Sequence, residues 1–529
     1  MPDTRLALLS VSDKHGLVPL AEALLGSGYA LVASGGTAKA LAAAGLAVTS
    51  VETLTDSGEL LGGRVKTLHP TIAAGILSRR TAADTAELSA RGIVAIDVVV
   101  VDLYPFAAAL ADNVDATTLT ETIDIGGVTL LRAAAKNAAH VLVVPGPRHY
   151  ADVIQALQAD KMHGLPEELA HLRRRLAAVA FRLTAEYDAL IAGWLAQEDA
   201  AGGQTAPDDL TPLAQLSVLS PSQPLRYGEN PHQRGGFLAP DGRAPFVQYA
   251  GKDLSYNNIY DIDAALAALG EFGAPAAVII KHGSPCGVAV GAEDDDIASV
   301  FAAALGADPV SAFGSIIALN RPANAAFINA FGDLFAEVLV APAYADGVIE
   351  TFASRRKNLR ILTVDAALHT GMRFRSALGG LLWQEPDVAE SDGSPLVSAN
   401  GIELPEALLA TAVFADRVVK HVQSNAIVIA STRDDLLITI GIGGGQTNRV
   451  DAVAQAIARA TSRFGADLSD AVLASDAFFP FADSIALVAA AGIGAIVQPG
   501  GSLRDADVLK AAADAQIPMV MTGVRHFRH

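Results

Sequence analysis

The sequence predicts an α/β protein of two domains, the first built on a parallel sheet with crossover helices. Three observations lead there. Short, very apolar runs alternate with longer helix-forming stretches along most of the chain. At 529 residues the chain is longer than one hydrophobic core sustains. The segment "AQEDAAGGQTAPDDLTP" (196–212) is polar and rich in Gly, Asp and Pro, so it reads as a linker and divides the chain into 1–199 and 200–529.

The elements follow in order. "RLALLSVS" (5–12) reads as a buried strand and "GLVPLAEALLGSG" (16–28) as a helix closed by glycine. "YALVAS" is a second strand, and "GGTAKALAAAG" a turn and helix. "IDVVVVDLYPF" (96–106) and "HVLVVP" (140–145) continue the strands, and a long helix covers about 166–197. Beyond the linker, "AAVIIKHG", "GSIIALN", "NAIVIAS", "LITIGIGGG", "AVLASD", "GAIVQPGG" and "IPMVMTG" read as short buried strands.

Composition excludes several classes. With 51% apolar and 18% charged residues, the chain buries a sizeable core and is not disordered. A net charge of −19 repels nucleic acid and anionic membranes, whereas a few Lys and Arg still make a local pocket for a small anion. One cysteine forms no intramolecular disulfide and fits a reducing compartment. "MPDTRLALLSVSD" has too short an apolar run for a signal peptide, and "IALVAAAGIGAIV" (485–497) is too short to span a bilayer. The expectation is a soluble cytoplasmic protein.

Four segments of the first domain carry chemistry. "VASGGTAKAL" (32–41) places Ser34, Gly35, Gly36 and Thr37 between a strand and a helix start, where backbone amides meet an anion. A glycine turn with a threonine cap is the plain alternative. "GGRVKTLHP" (62–70) sets Arg64, Lys66, Thr67 and His69 within six residues, which suits a phosphorylated ligand. "DLYPF" (102–106) ends an apolar strand, and ligands of open parallel sheets bind beyond such ends. "ETIDIGGVTLLRAAAKNAAH" (121–140) offers Asp124 before a double glycine, with Arg132 and Lys136 stacked on the following helix.

In the second domain "LRYGENPHQ" (225–233) gathers Arg226, Tyr227, Asn230 and His232 around a Gly and a Pro. "IIKHGSPCGVAV" (279–290) holds the adjacent pair Lys281-His282 and the sole cysteine, Cys286. A zinc deaminase site needs two thiolates, and no second cysteine exists. The apolar neighbours of Cys286 suit a packing residue in a turn better than a low-pKa nucleophile. The interest therefore moves to Lys281 and His282.

"GGRVKTLHP", "LYPF" and "IDIGGVTLLRAAAKN" together resemble the IMP cyclohydrolase domain of the bifunctional purine-biosynthesis enzymes that also carry AICAR transformylase. "RYGENPHQ", "KHGSPCG", "DPVSAFGSIIALNRP", "EVLVAPAY", "GGLLWQEPD", "VVKHVQSNAIV", "GIGGGQTNRVDA" and "SDAFFPFADS" follow in that family's order, so the resemblance covers essentially the whole chain. It implies a methylglyoxal-synthase-like first domain and a cytidine-deaminase-like transformylase domain without the zinc. It also implies a homodimer with shared transformylase sites, and small-molecule nucleotide and folate substrates. The implied reactions are formyl transfer from 10-formyltetrahydrofolate to AICAR, then dehydrative closure of FAICAR to IMP. A structural monovalent cation is a further implied component.

The resemblance also assigns residues. Ser12, Lys14, Ser34, Gly36 and Thr37 would hold the nucleotide phosphate, and Arg64, Lys66, Thr67, Tyr104, Asp124 and Lys136 would surround the base. Ring closure needs a proton acceptor on the carboxamide, Asp124, and donors at the formyl oxygen, Lys66, Lys136 and Tyr104. If residues 124–136 formed one continuous helix, Asp124 and Lys136 would stand about 18 Å apart, so either the helix starts later or the two groups serve different ends of the ligand. For formyl transfer, His282 would accept the amine proton, while Lys281 and Asn425 would meet the formyl oxygen and the folate N10. Arg226, Tyr227, Asn258, Phe313, Gly314, Glu337, Arg449 and Arg525 would lie around AICAR. Phe478, Phe479, Pro480, Asp483 and Phe527 would lie near the folate.

The chain departs from the family pattern at Asp102, where Asn is usual, at Ala73 for His, at Asp416 for an aromatic and at Ser315 for Gly; Glu337 stands where some members have Asp. Two rivals are a first domain that only binds a phosphorylated effector and a metal-dependent deaminase in the second half. Retention of Lys66, Tyr104, Asp124 and Lys136 opposes the former, and the single cysteine opposes the latter.

Overall fold

The structure is a computed structural model and describes residues 5–112, 114–163, 166–201, 219–240, 242–364, 372–389 and 397–529. Its two compact units are Met1–Val218 and Leu219–His529.

In the first unit, β1 (Arg5–Val11), β2 (Tyr29–Ala33), β3 (Val48–Ser50), β4 (Ile96–Asp102) and β5 (Leu142–Pro145) form a parallel sheet in the order β3-β2-β1-β4-β5. Val98 to Val101 of β4 are wholly inaccessible, as a strand covered on both faces requires. The helix Pro166–Ala201 contributes Tyr187 and Trp194, whose rings meet the buried ring of Phe106 at 6.1 and 5.7 Å. The order of the sheet reverses between β1 and β4, which opens a crevice beyond their carboxyl ends. The expected linker starts inside the helix Pro166–Ala201, and its remainder, 202–212, lies outside the described residues.

In the second unit, β6 (Leu219–Leu225) and β7 (Gly235–Pro240) pair as a separate ribbon. Pro221 and Pro224, which lack amide donors, suit such an edge. The strands β8 (Phe246–Ala250), β9 (Ala276–Lys281), β10 (Ser284–Val290), β11 (Ser315–Leu319), β12 (Ala336–Val340) and β13 (Arg360–Val364) belong to the main sheet. After a two-stranded hairpin, β14 (Arg373–Ala377) with β15 (Gly380–Gln384), the sheet continues with β16 (Ile427–Arg433), β17 (Leu436–Gly443), β18 (Ala471–Ser475), β19 (Ala495–Gln498) and β20 (Met519–Met521). Eleven strands result, in the order β20-β19-β18-β16-β17-β10-β9-β11-β12-β13-β8.

Strand β9 shows why these runs carry no polar alternation. Ala277 and Ile279 enter one core with Phe301 and Phe327, and Val278 and Ile280 enter the other with Phe414. Among the described residues no helix is long and apolar enough to cross a membrane.

One expectation is corrected. Cys286 does not sit in a turn: Ser284–Val290 is strand β10, and the turn is only His282-Gly283. "SPCGVAV" hides its strand character because both faces are buried and Gly287 replaces a side chain where the backbone of Ala304 approaches.

Candidate active sites in the two units

The first site forms where the carboxyl ends of β1, β2 and β4 meet the start of the helix Gly126–Lys136. Ser34 precedes the helix Gly35–Ala43, and its hydroxyl meets that of Ser10 at 2.9 Å. A Cβ placed on Gly35 would stand 3.4 Å from Lys66 Nζ, so this ammonium lies over the glycine turn. Glu59 pairs with it at 2.7 Å and holds its pKa above the usual lysine value. A Cβ on Gly126 would stand 2.7 Å from Oγ1 of Thr67, the residue after Lys66. One loop thus takes Lys66 to the Ser34 turn and Thr67 to the Asp124 turn.

Asp124 is the pivot. Its carboxylate accepts the Gly127 amide at 2.7 Å and the Tyr104 amide at 3.4 Å, while Tyr187 donates its hydroxyl hydrogen elsewhere and accepts the Asp124 amide at 2.9 Å. Burial pushes the carboxyl upward, and the two amides partly oppose this. A Cβ on Gly127 would stand 2.5 Å from Asp124 Oδ2 and 2.8 Å from Leu103 Cδ2, so only glycine fits there. The phenol of Tyr104 is half exposed and free to meet a ligand.

Other predicted residues are engaged differently. Thr37 is buried and its hydroxyl bonds the amide and carbonyl of Val11, each at 3.2 Å, which pins the helix to β1. Lys14 folds back onto the carbonyls of Val11 and Ser12, the latter at 3.1 Å. Its burial lowers its pKa against the pull of Asp102 and Asp13. Ser12 donates its amide to Asp102 O at 3.3 Å. Asp102 itself accepts the Asp13 amide at 2.8 Å, and burial raises its pKa, with Asp13 and Asp124 adding to the effect. Arg64 is exposed and paired with Glu121. Gly36 lies in the first turn of its helix. Lys136 occupies the last turn of the helix Gly126–Lys136, about 15 Å along the axis from its start, so the structure does not bring it to Asp124.

The second site centres on the β9–β10 hairpin. Its exposed turn residue is His282. Lys281 Nζ donates to the carbonyls of Phe313 at 2.6 Å and Gly314 at 3.1 Å. Phe313 is exposed and packs on Phe335 at 5.0 Å between ring centroids. Ser284 Oγ accepts the Gln423 amide at 3.4 Å, which ties the hairpin to the loop bearing Asn425. Asn425 Nδ2 donates to Gln446 O at 2.9 Å, and Arg449 Nη2 donates to Asn425 Oδ1 at 2.8 Å. Arg449 is buried and also pairs with the fully buried Asp476, so its guanidinium props the asparagine from within. The final segment closes over this loop, with Ser424 donating its amide to Arg528 O at 2.9 Å. Arg525 and Phe527 are exposed on it, with the guanidinium 4.3 Å from the ring centroid.

A third cluster lies around Glu337. Asn258 Nδ2 donates to Glu337 Oε2 at 2.8 Å, and Arg360 approaches the same carboxylate at 3.5 Å. Arg360 feels the charges of both Arg226 and Tyr227, and burial lowers its pKa. Arg226 stacks over the Tyr227 ring at 5.1 Å, in a loop closed by Asn230 and Gln233. Arg360 is not among the residues expected from the sequence, although a lone, buried Arg opening the strand β13 is the signal it offers.

The aromatic segment is only partly as expected. Phe478 and Pro480 are half buried and Asp483 is exposed. Phe479 is fully buried and its amide donates to Gln498 Oε1 at 3.0 Å, so its ring belongs to the core. Phe481, which was not singled out, is half exposed beside Arg504 at 4.9 Å. Cys286 is buried, its thiol is pushed up to about 12 by burial, and it donates weakly to Ile279 O at 3.5 Å. Such a thiol stays protonated and is no nucleophile.

The family model of the AICARFT/IMPCHase bienzyme matches residues 134–459, and that of the MGS-like domain matches residues 16–129. The chain belongs to the AICARFT/IMPCHase bienzyme family. Relatives named bifunctional purine biosynthesis protein PurH agree: that of Myxococcus xanthus is 47% identical over 99% of this chain and 100% of its own. Those of Anaeromyxobacter dehalogenans and Lacticaseibacillus casei are 45% and 44% identical over 99% of this chain and 100% and 99% of theirs. The first unit carries the MGS-like fold, and the bienzyme family joins formyl transfer to AICAR with IMP cyclohydrolase activity in purine biosynthesis.

Proposed function

We propose that the two activities of this bienzyme divide between the two units, cyclohydrolase in 1–199 and transformylase in 200–529. The cosubstrate of the second is 10-formyltetrahydrofolate. In formyl transfer the 5-amine of AICAR attacks the formyl carbon, and His282 accepts the amine proton. The oxygen of the tetrahedral adduct becomes negative, and folate N10 leaves with a proton as the adduct collapses. Lys281 has three donors and spends two on carbonyls, which leaves one for this oxygen or for N10. Asn425 likewise retains an N–H, and Arg449 polarises its amide by donating to its oxygen.

In ring closure the carboxamide nitrogen attacks the formyl carbon and water leaves. Asp124 takes the amide proton, and its raised pKa suits that exchange. Lys66 and Tyr104 face the developing oxyanion, with Thr67 beside them, and Ser12, Lys14, Ser34, Gly36 and Thr37 form the phosphate end. Lys136 serves another end of the ligand.

The observation that carries the reading is the convergence of the Lys281-His282 hairpin and the Asn425 loop through the Ser284–Gln423 bond. Around AICAR we place Arg226, Tyr227, Asn258, Phe313, Gly314, Glu337, Arg449 through Asn425, and Arg525. Around the folate we place Phe478, Pro480, Asp483 and Phe527, with Phe479 as their buried support. A homodimer that shares its transformylase sites belongs to this reading, and the exposed rings of Phe313 and Phe527 support it. The free buried thiol supports a reducing, cytoplasmic setting. A structural monovalent cation needs a cage of oxygens, and Asp476, the buried carboxylate of the Asn425 loop, does not fit one. Arg449, Ser424 and the Ala426 amide already hold it.

The test is a pair of variants assayed for each half-reaction. His282→Ala abolishes formyl transfer and leaves closure of supplied FAICAR intact, while Asp124→Asn does the reverse. Equal loss of both activities in either variant overturns the division.

A further inference from the structure

The turn that carries His282 is held by a carboxylate that the mechanism above does not use. His282 has φ 55° and Gly283 φ 74°, the left-handed pair of a two-residue hairpin turn. Glycine adopts that conformation freely and histidine does not, so the position of His282 must be imposed by its surroundings. The helix Tyr256–Leu269 imposes it with two consecutive residues. Asp261 Oδ1 accepts the Gly283 amide, the second amide of the turn, at 2.6 Å. Tyr260 closes the other side: a Cβ on Gly283 would stand 2.6 Å from its ring and 2.9 Å from its hydroxyl.

Asp261 is not an ordinary helix surface residue. Burial pushes its carboxyl upward, and the Gly283 amide together with the charges of His282 and Lys281 pulls it back. An acceptor on the amide that follows it anchors the left-handed histidine, and a shift of the turn would move the imidazole relative to Asn425 and Lys281.

We propose that Asp261 is a positioning residue for formyl transfer, its carboxylate fixing the His282-Gly283 turn through the Gly283 amide so that the imidazole meets the amine in one orientation. This rests on the reading of His282 as the proton acceptor.

The full-length enzyme tests it, with formyl transfer and FAICAR closure measured on the same preparations. Asp261→Ala lowers kcat for formyl transfer by about a hundredfold, the scale of a misplaced reacting group, with KM for AICAR within about twofold. Closure of FAICAR is unchanged. Asp261→Asn, which keeps an amide-accepting oxygen, recovers most of the lost kcat. Gly283→Ala, which pushes the turn against Tyr260, reproduces the Asp261→Ala loss without touching the carboxylate. A wild-type kcat in Asp261→Ala, a loss confined to KM, or an Asn variant no better than Ala overturns the proposal. Full formyl transfer by His282→Ala overturns the reading beneath it instead, so the two failures are distinct.

Discussion

Arg449 donates to the amide oxygen of Asn425 at 2.8 Å while it pairs with Asp476, whose side chain is wholly buried. One guanidinium therefore does two things: it neutralises an interior carboxylate and orients an amide at the site surface. Its planar fork permits both at once, which a lysine ammonium on a flexible stem cannot match.

Replacing Arg449 by Met separates these roles. The single variant leaves Asp476 buried and unpaired, which costs about 3–5 kcal/mol. It also frees the Asn425 amide, so formyl transfer falls by about a hundredfold. Adding Asp476→Asn removes the stranded charge and recovers much of the thermal stability. Activity stays low, because the amide is still unsupported. Recovery of both stability and activity in the double variant would mean that Asn425 needs no such support.

Gly127→Ala probes the cyclohydrolase site without altering a reacting group. The added methyl would stand 2.5 Å from Asp124 Oδ2 and 2.8 Å from Leu103 Cδ2, so the carboxylate must move. Closure of FAICAR drops by about a hundredfold while formyl transfer keeps its rate. An unchanged rate of closure would remove Asp124 from the mechanism as placed here.

The parallel sheet of the first unit was legible because β1, β2 and β4 are dominated by apolar residues, as in "LALL", "YALVA" and "VVVV", and are separated by glycine-bearing turns and helices. The hairpin β9–β10 was half legible: "AAVIIK" reads as a strand, but Pro285, Cys286 and Gly287 mask the next one. Residues whose role is to bind with a backbone or a charge showed in sequence motifs, as Lys281, His282 and Asn425 did. What stayed hidden was orientation. Phe479 and Phe481 stand two apart in one aromatic run, yet one ring is in the core and the other half exposed. No periodicity governs an irregular loop, so only the packed structure distinguishes them. Arg360 and Arg528 were missed for a related reason, since their partners lie far away in the chain.

Cys286 offers a test of the corrected view of its segment. Its thiol is pushed up to about 12 by burial, so almost no thiolate exists at neutral pH. Iodoacetamide should leave the folded enzyme active and modify the cysteine only after denaturation. Cys286→Ala removes a small buried group from β10 and retains both activities within about twofold, at a stability cost of about 1 kcal/mol. Rapid stoichiometric inactivation by the reagent would return the thiol to the active site.

Asp416 gives the sharpest pH dependence. It lies buried on the helix Glu406–Val419, and burial raises its pKa to about 6; Glu271 adds to this, while His526, Lys420 and Arg417 oppose it. The folded pKa exceeds the ordinary aspartate value, so the native state binds the proton more tightly than the unfolded chain does. Its contribution is fully present below about pH 4 and is lost as pH rises through about 6. Above that, the native protein carries an ionised buried carboxylate at a cost of about 3 kcal/mol, a two-unit gap at 1.36 kcal/mol each. Asp416→Asn is a neutral isostere and escapes this cost. The variant should therefore melt above the parent protein at pH 8, by a margin that shrinks below pH 6 and vanishes near pH 4. A margin independent of pH, or a variant less stable at pH 8, would mean that Asp416 is held as an ion by His526 and Lys420 and that its charge supports the final segment of the chain.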